Sequence, residues 1–322
     1  MTITYLKTTP KTPIYHLKPK TPSKETLVLI PGNPGLVDFY ITYLDLIHRQ
    51  FPHFEILCIG HAGFVNDDNT TRIYDLAYQI DHKYDILKQH ILTKNESNIV
   101  PEFYFLHHSM GSYIYQRAIR KLYQDETISS KFNVKFSGFI TPTIYEISQS
   151  SSGQLLSTLM NWNVPVVWIA LMFRFIVGLL PDSILRKLIY LHLVSSRSPG
   201  EGAVDYENSI EGAYKIIKSP TIVRQALSMA QEEMTTIKKE DEENDHYFEK
   251  TSGIQNWLFF AQDDHWVNKN TREYLIDRYE NTRGFTAEVC SNLEDPISHS
   301  FCVTQSEQFA EITVDRIRKI CN

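Results

Sequence analysis

The chain has little cysteine, no excess of basic residues and no apolar run long enough to cross a bilayer, and each shortage excludes something. Four cysteines in 322 residues (Cys58, Cys290, Cys302 and Cys321) are scattered without metal-ligand spacing. That scatter argues against a disulfide framework or a zinc site and suits reduced thiols in a cytosol-facing protein. Lys and Arg number 32 against 38 Asp and Glu, a formal net charge of −6. No basic stripe with interleaved aromatics is present, so nucleic acid is not an expected partner. Residues 1–20 lack the continuous apolar core of a signal peptide. The sequons at Asn69 and Asn95 are accordingly expected to stay unglycosylated. There are no internal repeats, and low-complexity tracts are confined to 148–153 and 238–245.

What is present is globular and alternating. Hydrophobic residues make up 42% and charged ones 22%, enough for a sizeable core. Leu27 to Ile30 is a continuous apolar run closed by Pro31 and Gly32, as in a strand buried on both faces. Phe54 to Ile59 is a second such run and Phe103 to Leu106 a short one, while Val134, Phe136, Gly138 and Ile140, Trp257 to Ala261, and Phe285 to Val289 read as three further strands. Leu76, Ile80, Tyr84, Leu87 and Ile91 mark a helix face, and further helices are expected over Thr271 to Tyr279 and Ser306 to Ile320. Strands alternating with helices predict an α/β fold with a mostly parallel, doubly wound sheet. Residues 3–6 and 14–17 suit an antiparallel edge.

Parallel sheets carry their working groups at the carboxyl ends of strands. Ser109 stands between the run ending at His108 and a helical pattern of Tyr113, Ile114, Ala118, Ile119 and Leu122. Strand, sharp turn with serine, and helix is the context of a nucleophile elbow. Gly111 is needed there because strand and helix backbones crowd each other, and His108 is assigned a supporting role. In chain order Ser109 is followed by Asp263 and Asp264 after the run at 257–261, and by His299 before the last helix. Nucleophile, acid, base is the order that acyl-transfer chemistry takes in α/β-hydrolases. Either aspartate could orient His299. Pro31, Gly32, Asn33, Pro34 and Gly35 form a turn able to present amide protons, so Asn33 and Met110 are the candidate oxyanion donors. No cofactor and no metal are called for.

With those residues assembled, the chain resembles the lipid droplet-associated hydrolase family of α/β-hydrolases. The matching stretches include Pro31-Gly32-Asn33-Pro34-Gly35, His61-Ala62-Gly63, Gln79-Ile80-Asp81-His82-Lys83, His108-Ser109-Met110-Gly111-Ser112-Tyr113 and Ser298-His299-Ser300-Phe301. The resemblance implies a serine hydrolase triad of Ser109, Asp264 and His299, choosing Asp264 because it falls two residues before Trp266. It also implies residence at the lipid droplet and endoplasmic reticulum surface, where a lipid or other apolar ester is the expected substrate. His107 stands where the family usually has Gly, and Ala261 likewise. An imidazole at 107 bears on strand–helix packing at the turn. It favours an alternative, a lipid-surface scaffold that keeps the fold with little chemistry.

Between 145 and 220 the α/β rhythm breaks, which predicts a core of 1–144 and 221–322 with an apolar helical cap between. Residues 164–180 carry one charge, Arg174, and fall short of the roughly 20 apolar residues of a spanning helix. Apolar residues continue to Val194. A segment at 164–194 lying in a lipid monolayer is expected, with a cap that merely covers the site as the competing reading.

Overall fold

The computed structural model describes residues 3–6, 10–65, 72–162, 166–195, 206–239, 242–251, 253–292 and 295–321. Asn69, with its sequon, and Val164 and Pro165, at the start of the apolar segment, lie outside the described residues.

Eight strands form one sheet in the order β1-β2-β4-β3-β5-β6-β7-β8. They are β1 (Thr4–Leu6), β2 (Thr12–Leu17), β3 (Glu25–Ile30), β4 (Glu55–Ile59), β5 (Glu102–His108), β6 (Asn133–Ile140), β7 (Gln255–Phe260) and β8 (Phe285–Val289). From β4 to β8 all pairings are parallel, and β1 and β2 add the antiparallel edge expected from the sequence. Leu27, Val28, Leu29 and Ile30 are all fully buried. Helices cover both faces of the sheet, so the strands need apolar side chains in both directions.

The helices are α1 (Ile41–Gln50), α2 (Leu76–Glu96), α3 (Met110–Gln124), α4 (Ser151–Asn161), α5 (Val166–Gly178) and α6 (Asp182–Ser195). They continue as α7 (Glu207–Lys218), α8 (Pro220–Thr236), α9 (Glu242–Lys250), α10 (Lys269–Tyr279), α11 (Phe301–Thr304) and α12 (Ser306–Cys321). Asp75 starts α2 by accepting from Tyr78 N–H at 2.8 Å. The chain leaves β3 leftward through α1 to β4, returns through α2 to β5, and continues rightward through α3 to β6. With right-handed crossovers, α1 falls on one face and α2 and α3 on the other. The closing α12 packs beside α1, and α2 beside α3. The direction of winding reverses between the neighbours β3 and β5, opening a crevice at their carboxyl ends. Ser109 and the Pro31-to-Gly35 loop both lie at that crevice.

Helices α4 to α9 are all inserted between β6 and β7. α6 and α7 build a small cluster of their own from Leu185, Ile189, Leu193 and Tyr206. Lys215 ties α7 to the core by pairing with Asp38 at 2.8 Å. α5 has no buried residue at all.

Candidate active site

Ser109 sits in a backbone conformation that few residues tolerate, with φ 52° and ψ −126°. Such a turn costs on the order of 1–3 kcal/mol and persists only where its surroundings hold it. Here Ser109 N–H donates to Ile140 O at 2.9 Å, and Ser109 O accepts from Ser112 N–H at 2.9 Å. Gly111 fits because a Cβ there would lie 2.4 Å from the carbonyl oxygens of Ile30 and Pro31. The elbow therefore presses directly on the end of β3.

The loop after β8 brings His299 over this turn. Its Nε2 lies 3.0 Å from Ser109 Oγ, and its Nδ1 lies 2.8 Å from Asp264 Oδ2. Asp264 is the acid that the fold delivers, and Asp263 is exposed. The other oxygen of Asp264 accepts from the N–H groups of Trp266 at 2.7 Å and Val267 at 3.1 Å. Burial pushes this carboxyl up, but the His299 charge and these hydrogen bonds outweigh it and leave it below the usual carboxylate range. An ionised Asp264 requires a proton on His299 Nδ1, leaving Nε2 free to accept from the serine hydroxyl. The arrangement can thus remove a proton from Ser109 and hold the resulting imidazolium.

His108 shows why elbow, loop and base stay in register. Its Nε2–H donates to His299 O at 2.8 Å, which makes Nδ1 the acceptor for Tyr40 Oη–H at 2.7 Å. Tyr40 Oη in turn accepts from Gly32 N–H at 3.0 Å. Burial pulls His108 down to about 3, so the neutral ring required by this chain is the stable form. On the other side, His61 Nε2 donates to Pro31 O at 2.9 Å, and a Cβ on Gly35 would strike its ring.

Met110 follows Ser109 as the first residue of α3, and the loop that carries Asn33 approaches the elbow at Gly32, where a Cβ would lie 3.0 Å from Ser109 Cβ. The Asn33 side-chain amide is pinned to α8, donating to Ala226 O at 2.9 Å and to Glu233 Oε1 at 3.1 Å. Burial raises Glu233 to about 8, so it is largely protonated at neutral pH. Sequence reading gave no role to Tyr40 or Glu233. The Gln79-to-Lys83 stretch proves architectural. Gln79 brackets the backbone of Ala62 with two 2.9 Å hydrogen bonds, and Lys83 Nζ donates to Gly60 O at 2.9 Å.

His107 does not crowd the turn. Its ring points away from Ser109 into a slot between two serines, Ser112 and Ser137, each 3.0 Å from a ring nitrogen. The ring stacks on Tyr115 at 4.1 Å and meets Phe139 edge-on at 4.1 Å. Two small hydroxyl neighbours leave room for the ring. Among the described residues no group of three or more His, Cys, Asp or Glu could hold a metal. A crevice of about 460 Å³ between α3 and α9 contains none of Ser109, Asp264 and His299.

The lipid-droplet associated hydrolase family profile matches residues 23–302, spanning both the elbow and the His299 loop. The chain belongs to that family. A human lipid droplet-associated hydrolase is 24% identical over 97% of this chain and 90% of its own length. A chicken relative of the same name is 22% identical over 90% and 84%. Among solved structures, a carboxylesterase from the thaumarchaeon Nitrososphaera gargenis superposes with a TM-score of 0.59 at 13% identity, covering 99% of both chains. A haloalkane dehalogenase from Agrobacterium tumefaciens C58 reaches 0.67 at 10%, covering 98% and 96%. These likenesses establish the α/β-hydrolase fold, and membership in a hydrolase family comes from the profile.

Proposed function

We propose that this family member is a serine ester hydrolase acting on a lipid or other apolar ester at a lipid surface. The observation that carries the reading is the unbroken chain from Ser109 Oγ through the His299 ring to Asp264, at 3.0 and 2.8 Å. Ser109 Oγ attacks the ester carbonyl while His299 Nε2 takes its proton, and Asp264 holds the imidazolium. The carbonyl oxygen, now negative, is met by the N–H groups of Asn33 and Met110, each such donor typically contributing about 2.7–4 kcal/mol. His299 returns the proton to the leaving alcohol. Water then clears the acyl-enzyme by the same route in reverse.

Residues 145–220 act as a cap, and the segment at 164–194 seats the molecule on a droplet or the endoplasmic reticulum, facing the cytosol. Trp168, Ile169, Met172, Phe173, Phe175 and Ile176 of α5 are each at least 55% exposed. A contiguous apolar face of that kind marks a surface that something apolar covers. Half-burying six large side chains in lipid contributes on the order of 5 kcal/mol. No single helix among the described residues is long and apolar enough to cross a membrane, which suits a helix lying in a monolayer.

A fluorophosphonate probe tests the chemistry. Labelling of wild type that is lost in Ser109→Ala, together with turnover on a lipid-ester panel, is the expected result. An intact protein that takes no label and turns over no ester would leave the scaffold alternative standing.

A further inference from the structure

Beside the loop that carries Asn33 lies a groove of about 390 Å³ whose exposed wall is almost wholly apolar. Its size falls in the range of small-molecule sites, roughly 300–1,000 Å³. Pro34 forms one end, Ala170 and Val177 of α5 one side, and Ile216 of α7 with Val223 and Leu227 of α8 the other. The one charged side chain in the lining, Arg174, turns its guanidinium to the carbonyls of Ile217 and Lys218 at the end of α7.

α5 thereby has two apolar faces with different surroundings. Ala170, Phe173, Arg174 and Val177 recur at helical spacing and line the groove. Trp168, Met172 and Phe175 lie on the other side, between 60% and 70% exposed. A helix needed only to rest on lipid has no use for the first face.

We propose that this groove receives the acyl chain of the ester, with the alcohol leaving on the opposite side at His299; the inference rests on the serine hydrolase reading above. The attacked carbon carries four groups: the Ser109 oxygen, the oxyanion, the leaving oxygen and the acyl chain. The oxyanion faces Asn33 and Met110. The leaving oxygen must reach His299 Nε2, because it collects the proton that Ser109 gave up as its bond to carbon breaks. The groove includes no residue of the His299 or Asp264 loops, and its lining includes Pro34, next to Asn33. Ala226, also in its wall, accepts from the Asn33 amide at 2.9 Å. Only the acyl chain remains to enter it. The chain stays there as the Ser109 ester until water releases the acid.

The test uses the purified full chain and 4-nitrophenyl esters from acetate to palmitate. kcat/KM should rise about fourfold per added methylene, the factor for burying one such group, until the groove is filled. Ala170→Trp should lower the dodecanoate-to-acetate ratio of kcat/KM at least tenfold while leaving binding to triolein droplets unchanged. If the tryptophan variant fails to fold, Ala170→Phe is measured instead and should lower the same ratio. Calorimetric binding of dodecanoate should survive Ser109→Ala and be lost in Ala170→Trp, a readout that holds whatever the turnover. A flat chain-length profile in an active enzyme, or an unchanged ratio in the folded variant, overturns the acyl groove alone. Loss of droplet binding with the ratio intact would assign the groove to the lipid surface instead. Absence of both turnover and Ser109 labelling would overturn the catalytic reading and leave the dodecanoate result to judge the groove.

Discussion

At the carboxyl ends of β3, β5 and β7 the side chains that matter are buried and tied to backbone, whereas α5 lays large apolar side chains open and ties down almost nothing. Ser109 is 8% exposed, while Phe173 and Trp168 are 68% and 70% exposed. The first region is polar groups held where water is scarce, as catalysis by preorganised dipoles requires. The second is apolar surface held where water is abundant, the kind of patch that marks an interaction site and that the proposed function assigns to lipid. The same chain thus separates precision from adhesion. Helices α7 and α8 stand between the two, through Lys215 to Asp38 and through Glu233 to Asn33.

The sharpest way to break this contrast is at Ser109. Ser109→Ala should lower ester turnover by at least ~10⁴-fold with little change in melting temperature, since the hydroxyl contributes little packing. His299→Ala should cost about as much, and the double variant no more than either alone. Additive losses in kcat/KM would show that the two do not act as a unit.

The α5 face should respond in the opposite way. Ile169→Asp with Met172→Asp should shift the protein from the droplet fraction to the cytosolic fraction while stability changes by less than about 0.5 kcal/mol, because both positions are already exposed. An aspartate costs roughly 2.5–3.5 kcal/mol at the centre of a membrane segment and less nearer the interface. Unchanged flotation with droplets would sink the anchor, and misfolding of this pair would make α5 a structural cap.

His107 sharpens the contrast from inside the core. His107→Gly should destabilise the protein by about 3 kcal/mol, read from the urea midpoint. It removes a ring packed on Tyr115 and Phe139 and one hydrogen bond from each of the Ser112 and Ser137 hydroxyls, which keep His107 O and Tyr247 Oη as partners. A stabilised variant would restore the idea that the imidazole crowds the turn. That idea was reasonable from sequence because the relief comes from Ser137, thirty residues away on β6.

The same logic separates what can be read along the chain from what cannot. Strands buried on both faces write themselves as apolar runs, so β3, β4, β5 and β7 and the crevice between β3 and β5 are legible. Gly111 and the Asn33 loop are legible because tight turns demand special residues. The choice between Asp263 and Asp264 depends on which carboxylate the loop turns inward, and spacing within this chain does not say. The sequence reading gave no helix at α1, although Tyr43, Leu44 and Ile47 recur at helical spacing and are fully buried. α5 is apolar all round, so periodicity gives its presence without saying which face is open and which lines the groove. Glu233 looks like one more acid in an acidic stretch, and only folding shows it sealed against Asn33.

Glu233 supplies the smallest and most specific effect. Its native value is about 8 against an ordinary 4.5, with burial as the main cause and Glu232 nearby as a lesser one. The native state therefore holds a proton that the unfolded chain has released throughout the window between those values. Stability from this group is complete below about pH 4.5 and is lost progressively as pH rises to about 8. Glu233→Gln keeps an acceptor for the Asn33 amide but has no proton to lose. Wild type should lose on the order of 2 kcal/mol relative to the variant between pH 6 and pH 9, measured by urea unfolding at each pH. Superimposable curves would mean that Glu233 is ionised and solvated in the native state, and that α8 does not seal the oxyanion loop as the hydrogen bond to Asn33 indicates.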